Sequence, residues 1–137
     1  MNKLIIYSDG GARGNPGPAA IGYVILDAGG KELKRARHYL GVATNNHAEY
    51  RALIAALEAA ANLGFDHIAC RLDSELVVKQ LNGQYKVKEP SLKPLATEAL
   101  ALTRKFTQVE FTHVPREQNK IADQLVNEAL DEHELNG

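Results

Sequence analysis

The sequence predicts an α/β domain built on one mixed β-sheet, and three observations predict it. Three strand-like runs follow one another near the start, joined by short glycine-containing turns, which calls for antiparallel neighbours. The chain then alternates helix and strand, which calls for crossover connections and strands added in parallel. Acidic residues stand at the ends of strands and the starts of helices, where open sheets place their ligands.

The first strand is predicted over residues 3–8, around Leu4, Ile5 and Ile6. Asp9 follows at its end, before a return containing Gly10, Gly11, Gly14 and Gly17. A carboxylate at the end of a central strand is held by the sheet while its oxygens face an open loop, as a divalent-cation ligand requires. The second strand is predicted over residues 20–26 and the third over 32–40. Between them Gly29 and Gly30 are expected to supply positive φ for a hairpin turn. The charged run Lys34, Arg35 and Arg37 reads as a solvated strand face.

Thr44, Asn45 and Asn46 offer caps for a helix over residues 48–63, with Leu53, Leu57 and Ala60 on its inward face and Gly64 ending it. Glu49 is expected in the first turn of that helix, facing inward. A fourth strand over residues 67–72 delivers Asp73, followed by a helix over 74–81. Pro90 and Pro94 bracket the start of a further helix reaching about residue 105, then comes a fifth strand over 109–114. After a turn at 115–118, Asn119 is expected to cap a last helix that carries Asp123 one turn in.

With 137 residues, 45% hydrophobic and 24% charged, the chain reads as one domain over residues 1–137. A net charge of −1 gives no global basic field, so affinity for a polyanion must come from a local patch or from metal ions. The single cysteine, Cys70, excludes an intramolecular disulfide, and no apolar run is long enough to cross a bilayer. A soluble, cytoplasmic, monomeric protein without membrane contact is expected.

Taken singly, Asp9, Glu49, Asp73 and Asp123 could each be a helix cap or a first-turn acid. Together they are more than that. Converging carboxylates repel, and divalent cations are the natural resolution. Two ions about 3.5–4 Å apart would clamp the attacking water and leaving oxygen of a phosphodiester displacement, the chemistry of a nuclease.

Four motifs carry a resemblance: Ser8-Asp9-Gly10-Gly11 with Asn15-Pro16-Gly17, Thr44-Asn45-Asn46-His47-Ala48-Glu49, Leu72-Asp73-Ser74, and His113 through Asn119 leading to Ala122-Asp123. In this order and at these separations they resemble ribonuclease H of type 1, along essentially the whole chain. The resemblance implies a ribonuclease H-like fold, a five-stranded mixed sheet of three antiparallel strands plus two parallel additions, flanked by helices. It also implies Mg²⁺-dependent, or Mn²⁺-dependent, endonucleolytic hydrolysis of the RNA strand of RNA·DNA hybrids, leaving 5′-phosphate and 3′-hydroxyl ends.

By the same resemblance Asp9 bridges both ions, Asp123 completes the ion that activates water, and Glu49 with Asp73 completes the ion on the leaving-group side. Gly10, Gly11, Ala12, Asn15, Thr44, Asn45 and Asn119 are the expected substrate contacts, with Thr44 on a DNA-strand phosphate. One of Asn45 and Asn46 is expected to cap and the other to touch substrate. Three departures from the family pattern stand out. A loop histidine is replaced by Arg116, which could contact the scissile phosphate, although an arginine cannot shuttle a proton near neutral pH. The basic, tryptophan-rich protrusion is missing, leaving Tyr85, Lys86 and Lys88 in its region. Glu75 stands where a polar amide commonly meets RNA, and would repel a phosphate unless it turns away. Two rival readings remain: a non-catalytic module binding hybrid or double-stranded RNA, which the intact acid set disfavours, and a nuclease that also cuts RNA·RNA duplexes.

Overall fold

The computed structural model describes residues 3–136. Five strands form one sheet: β1 (Lys3–Ala12), β2 (Gly17–Asp27), β3 (Glu32–Ala43), β4 (His67–Leu72) and β5 (Gln108–His113). Their spatial order is β3-β2-β1-β4-β5, with β1, β2 and β3 antiparallel and β4 and β5 added in parallel. The helices are α1 (Asn45–Ala61), α2 (Glu75–Leu81), α3 (Lys93–Thr103) and α4 (Lys120–Asn136), with one 3₁₀ turn at Arg116–Gln118.

Period-two alternation in β1 turns Leu4, Ile6 and Ser8 to one face, where they are fully buried. That face packs on α1 through Leu53 and Leu57, α3 packs on α1 with Ala96 and Ala99 buried, and together with Ile68 and Leu72 these form the main core. Complete burial of a leucine is worth about 2–3 kcal/mol. The opposite face receives α4, whose Val126, Ala129 and Leu130 pack on Ala20 beside Tyr39. The sheet is therefore covered by helices on both faces, and the acids collect where the two layers meet its open end.

Several boundaries differ from the sequence reading. β1 does not stop at Ser8: pairing with β2 continues through Ala12↔Ala19, so Gly10 and Gly11 lie in the ladder rather than in a return. β2 starts earlier and β3 ends later than expected for the same reason, since a long antiparallel ribbon keeps both strands paired. At the hairpin only Gly30 takes positive φ, at 91°. The turn is closed by Asp27, whose Oδ1 accepts from the Gly29 and Lys31 amides. The exposed β3 cations pair locally, Arg35 with Glu32 and Arg37 with Glu132, as a solvated edge would.

Helix α1 starts at Asn45, and Thr44 is its cap, accepting from the His47 amide at 3.2 Å. Neither Asn45 nor Asn46 caps, and Glu49 falls outside the first turn, so the helix dipole does not account for it. Ser74 caps α2, which leaves the Asp73 carboxylate uncommitted to the helix. Between α2 and α3 there is no additional helix. None of the described helices is long and apolar enough to cross a membrane.

Candidate active site

Asp9 sits where two strand pairings part company. The parallel ladder of β1 with β4 ends at Ser8↔Leu72, while β1 stays paired with β2, where Asp9 faces Gly22. Asp9 and Asp73 are therefore the first residues past the end of the same parallel ladder, Asp9 still within β1 and Asp73 just after β4.

Two glycines let helices close on this point. A Cβ on Gly10 would overlap the Ala48 carbonyl oxygen, so α1 lies against the β1 backbone and its next residue, Glu49, accepts from the Gly10 amide at 2.5 Å. A Cβ on Gly22 would stand 2.6 Å from the Ala122 oxygen and from the Leu125 Cβ, so α4 likewise lies close over β2, and it carries Asp123 toward Asp9. Nothing but a missing side chain allows either approach.

Asp9, Glu49 and Asp73 each offer a carboxylate oxygen, all within 4.8 Å of one another. Asp123 lines the same open cleft, of about 420 Å³, near enough to Asp9 to act on its carboxyl, and its Oδ1 stands 3.3 Å from the Arg116 Nη2. Asp9 and Glu49 are buried, with Asp73 half-buried. Burial pushes the Asp9 carboxyl up from 3.8 to about 7; the Glu49 hydrogen bond opposes this, and the Asp73 and Asp123 charges add to it. Burial raises Glu49 well above its ordinary value, and the Asp9 hydrogen bond and charge reinforce the rise against the Gly10 amide. Glu49 Oε2 is buried with no hydrogen-bond partner.

An orphaned carboxylate oxygen beside two more carboxylates is what a hard, oxygen-preferring cation would satisfy. Among the described residues no histidine or cysteine joins the group, which disfavours softer metals there. The donor set thus fits a hard divalent cation.

Arg116 borders the cleft and is mostly exposed, its side chain 76% accessible. Asn15 and Asn45 brace each other's segments: the Asn15 Oδ1 accepts from the Asn45 amide at 3.0 Å, and the Asn45 Oδ1 accepts from the Ala12 amide at 2.8 Å. Each side chain thereby keeps its NH₂ available as a donor. Asn119 stands just before α4, but its side chain does not cap that helix. It is 1% exposed and its Nδ2 donates to the Ser8 carbonyl at 2.9 Å. Glu75 turns to Lys79, 3.0 Å away, and so away from the cleft.

The sequence reading missed two contributors. Gly22 had a weak signal, an isolated glycine inside a strand, which marks close approach of another backbone. Arg13 had none: it ties the loop after β1 to α4 through Asp131 at 2.7 Å and Glu134 at 2.6 Å, partners more than a hundred residues away.

Comparison with known proteins agrees with this geometry. Residues 7–129 match a family model described as reverse transcriptase-like. The chain is 51% identical over 130 residues to Ribonuclease HI of Halobacterium salinarum, covering 95% of this chain and 65% of that protein. It is 33% identical to a Ribonuclease H of Chromohalobacter salexigens, covering 96% of this chain and 87% of the relative. Among solved structures, LC11-RNase H1 in complex with an RNA/DNA hybrid superposes with a TM-score of 0.91 at 48% identity, over 95% of this chain and 98% of that one. The chain spans about two thirds of the Halobacterium relative and 36% of a similar mycobacterial protein, Rv2228c. A cleft built from carboxylates on β1, α1, β4 and α4 and a match along nearly the whole chain lead to one assignment: this chain belongs to the ribonuclease H type 1 family, within the reverse transcriptase-like group.

Proposed function

We propose that this chain is an endoribonuclease that hydrolyses the RNA strand of RNA·DNA hybrids, leaving 5′-phosphate and 3′-hydroxyl ends. The observation that carries the reading is the trio Asp9, Glu49 and Asp73, with its orphaned buried oxygen, in a cleft that also holds Asp123. Asp9, Glu49, Asp73 and Asp123 would hold Mg²⁺, with Mn²⁺ as a substitute, and the bound metal would supply an activated water and charge stabilisation for the leaving oxygen.

The chain's own residues account for binding and orientation. The NH₂ groups of Asn15 and Asn45 are left to donate into a minor groove, where contacts to 2′-hydroxyls tell RNA from DNA. The backbone of Gly10, Gly11 and Ala12 lines the cleft between them and the carboxylates. Thr44, whose hydroxyl caps α1, lines a recess with His47 and Arg51 that suits a DNA-strand phosphate. Arg116, balanced by Asp123 in the free protein, is placed to neutralise a phosphate entering the cleft. Residues 1–137 act as one domain, as a cytoplasmic monomer.

The test is digestion of an end-labelled RNA·DNA hybrid beside the matching RNA·RNA duplex and single-stranded RNA, with Mg²⁺ and with EDTA. Metal-dependent cleavage of the hybrid's RNA strand is expected. Binding of hybrid without cleavage at any Mg²⁺ or Mn²⁺ concentration would refute the reading, and equal cleavage of the RNA·RNA duplex would refute its substrate preference.

A further inference from the structure

Asn119 occupies the junction of the elements that carry the acids. Its Nδ2 donates to the Ser8 carbonyl at 2.9 Å, beside Asp9, and to the Asp73 Oδ2 at 3.4 Å. Its own carbonyl accepts from the Asp123 amide at 3.1 Å, in the first turn of α4. One residue thereby touches the β1 backbone, the Asp73 carboxylate and the turn that carries Asp123. Among the described residues no other side chain donates a hydrogen bond to Asp73.

We infer that Asn119 is a positioning residue of the metal centre, which aims the Asp73 carboxylate through its buried amide and fixes Asp73 relative to Asp9 and Asp123. The side chain is 1% exposed, and its amide donates to protein groups only. Its location explains that burial. β1 and β4 stop pairing after Ser8 and Leu72, and the Asn119 side chain reaches the Ser8 carbonyl at the end of that ladder. The amide then uses the second hydrogen of its NH₂ group to hold Asp73 Oδ2, which leaves Asp73 Oδ1 for a cation. Groups that orient a metal-binding carboxylate matter to affinity nearly as much as the ligand does.

The inference rests on the proposed metal-dependent hydrolase, and calorimetric titration of the full chain with Mg²⁺ separates the two. Asn119→Ala, confirmed folded by circular dichroism at the titration temperature, is expected to bind Mg²⁺ at least about tenfold more weakly than wild type. In an Asp73→Asn background the same substitution should cause no further loss, because the carboxylate it aims is gone. Wild-type Mg²⁺ affinity in folded Asn119→Ala, or an equal loss in both backgrounds, would overturn the inference. If Asn119→Ala does not fold, Asn119→Leu, which keeps the volume and removes the donor, takes its place with the same expectation. Failure of both to fold would assign Asn119 to the fold alone and overturn it as well. A wild-type chain that binds no Mg²⁺ would overturn the hydrolase reading itself.

Discussion

Asp9→Asn should stabilise the metal-free protein while abolishing cleavage. The Asp9 carboxyl stands at about 7 in the folded chain against 3.8 as its ordinary value, chiefly through burial. A raised acid favours the fold below the unfolded value and loses that contribution as pH climbs through the folded one. For this displacement the loss amounts to about 4 kcal/mol once pH exceeds 7, reckoned at 1.36 kcal/mol per pH unit. Asparagine has the same shape and no charge, so the variant should gain up to about that much over wild type at pH 8 and nothing at pH 3.5. In a chain of this size that is a rise in Tm of roughly 12 °C. Because Asp9 and Glu49 share the burden, the transition belongs to the pair rather than to either residue.

The assay is thermal unfolding of both proteins from pH 3.5 to 8 in EDTA, repeated with excess Mg²⁺. Added metal should raise wild-type stability by mass action and leave the variant nearly unchanged, narrowing or reversing the difference. A stability difference that does not vary with pH, or a variant less stable than wild type at pH 8 in EDTA, would refute the reasoning.

Other substitutions probe the remaining parts of the site. Gly22→Ala should push α4 off β2, costing about 1–3 kcal/mol by denaturant unfolding and most of the hybrid cleavage, because Asp123 rides on that helix; unchanged activity would show that the close approach is dispensable. Arg13→Ala removes the tie between the loop after β1 and α4. Since the pairs are partly exposed it should cost at most about 1 kcal/mol, but KM for hybrid should rise as the Asn15 segment loosens, and an unaltered KM would count against that role. Arg116→Ala should leave Tm within about 1–2 °C, as expected of an exposed ion pair, and reduce kcat/KM for hybrid. A large Tm loss would mean the residue is structural.

Much of this architecture was legible in the residues because its signals are local. Alternation around Tyr23 and Ile25 marks β2, and helical spacing of Leu53 and Leu57 marks α1. The order of elements then restricts the sheet to three antiparallel strands plus two parallel ones. Boundaries were less legible. Gly10 and Gly11 look like a turn, yet the β2 ladder holds them in extended backbone, and three consecutive polar residues at 44–46 offered more caps than the helix needed.

The sequence by itself determined which elements form, in what order, and that four acids sit beside their ends, since periods of two and 3.6 and the chemistry of caps are written in neighbouring residues. Only the tertiary structure decided how those acids meet, with Asp9, Glu49 and Asp73 within reach of one cation and Asp123 beside Asp9 and paired with Arg116. It also decided that Gly22 admits a helix and that Asn119 turns inward to Asp73. Those outcomes depend on which backbones approach closely across the two faces of the sheet, and such approaches are set by packing between residues far apart in the chain.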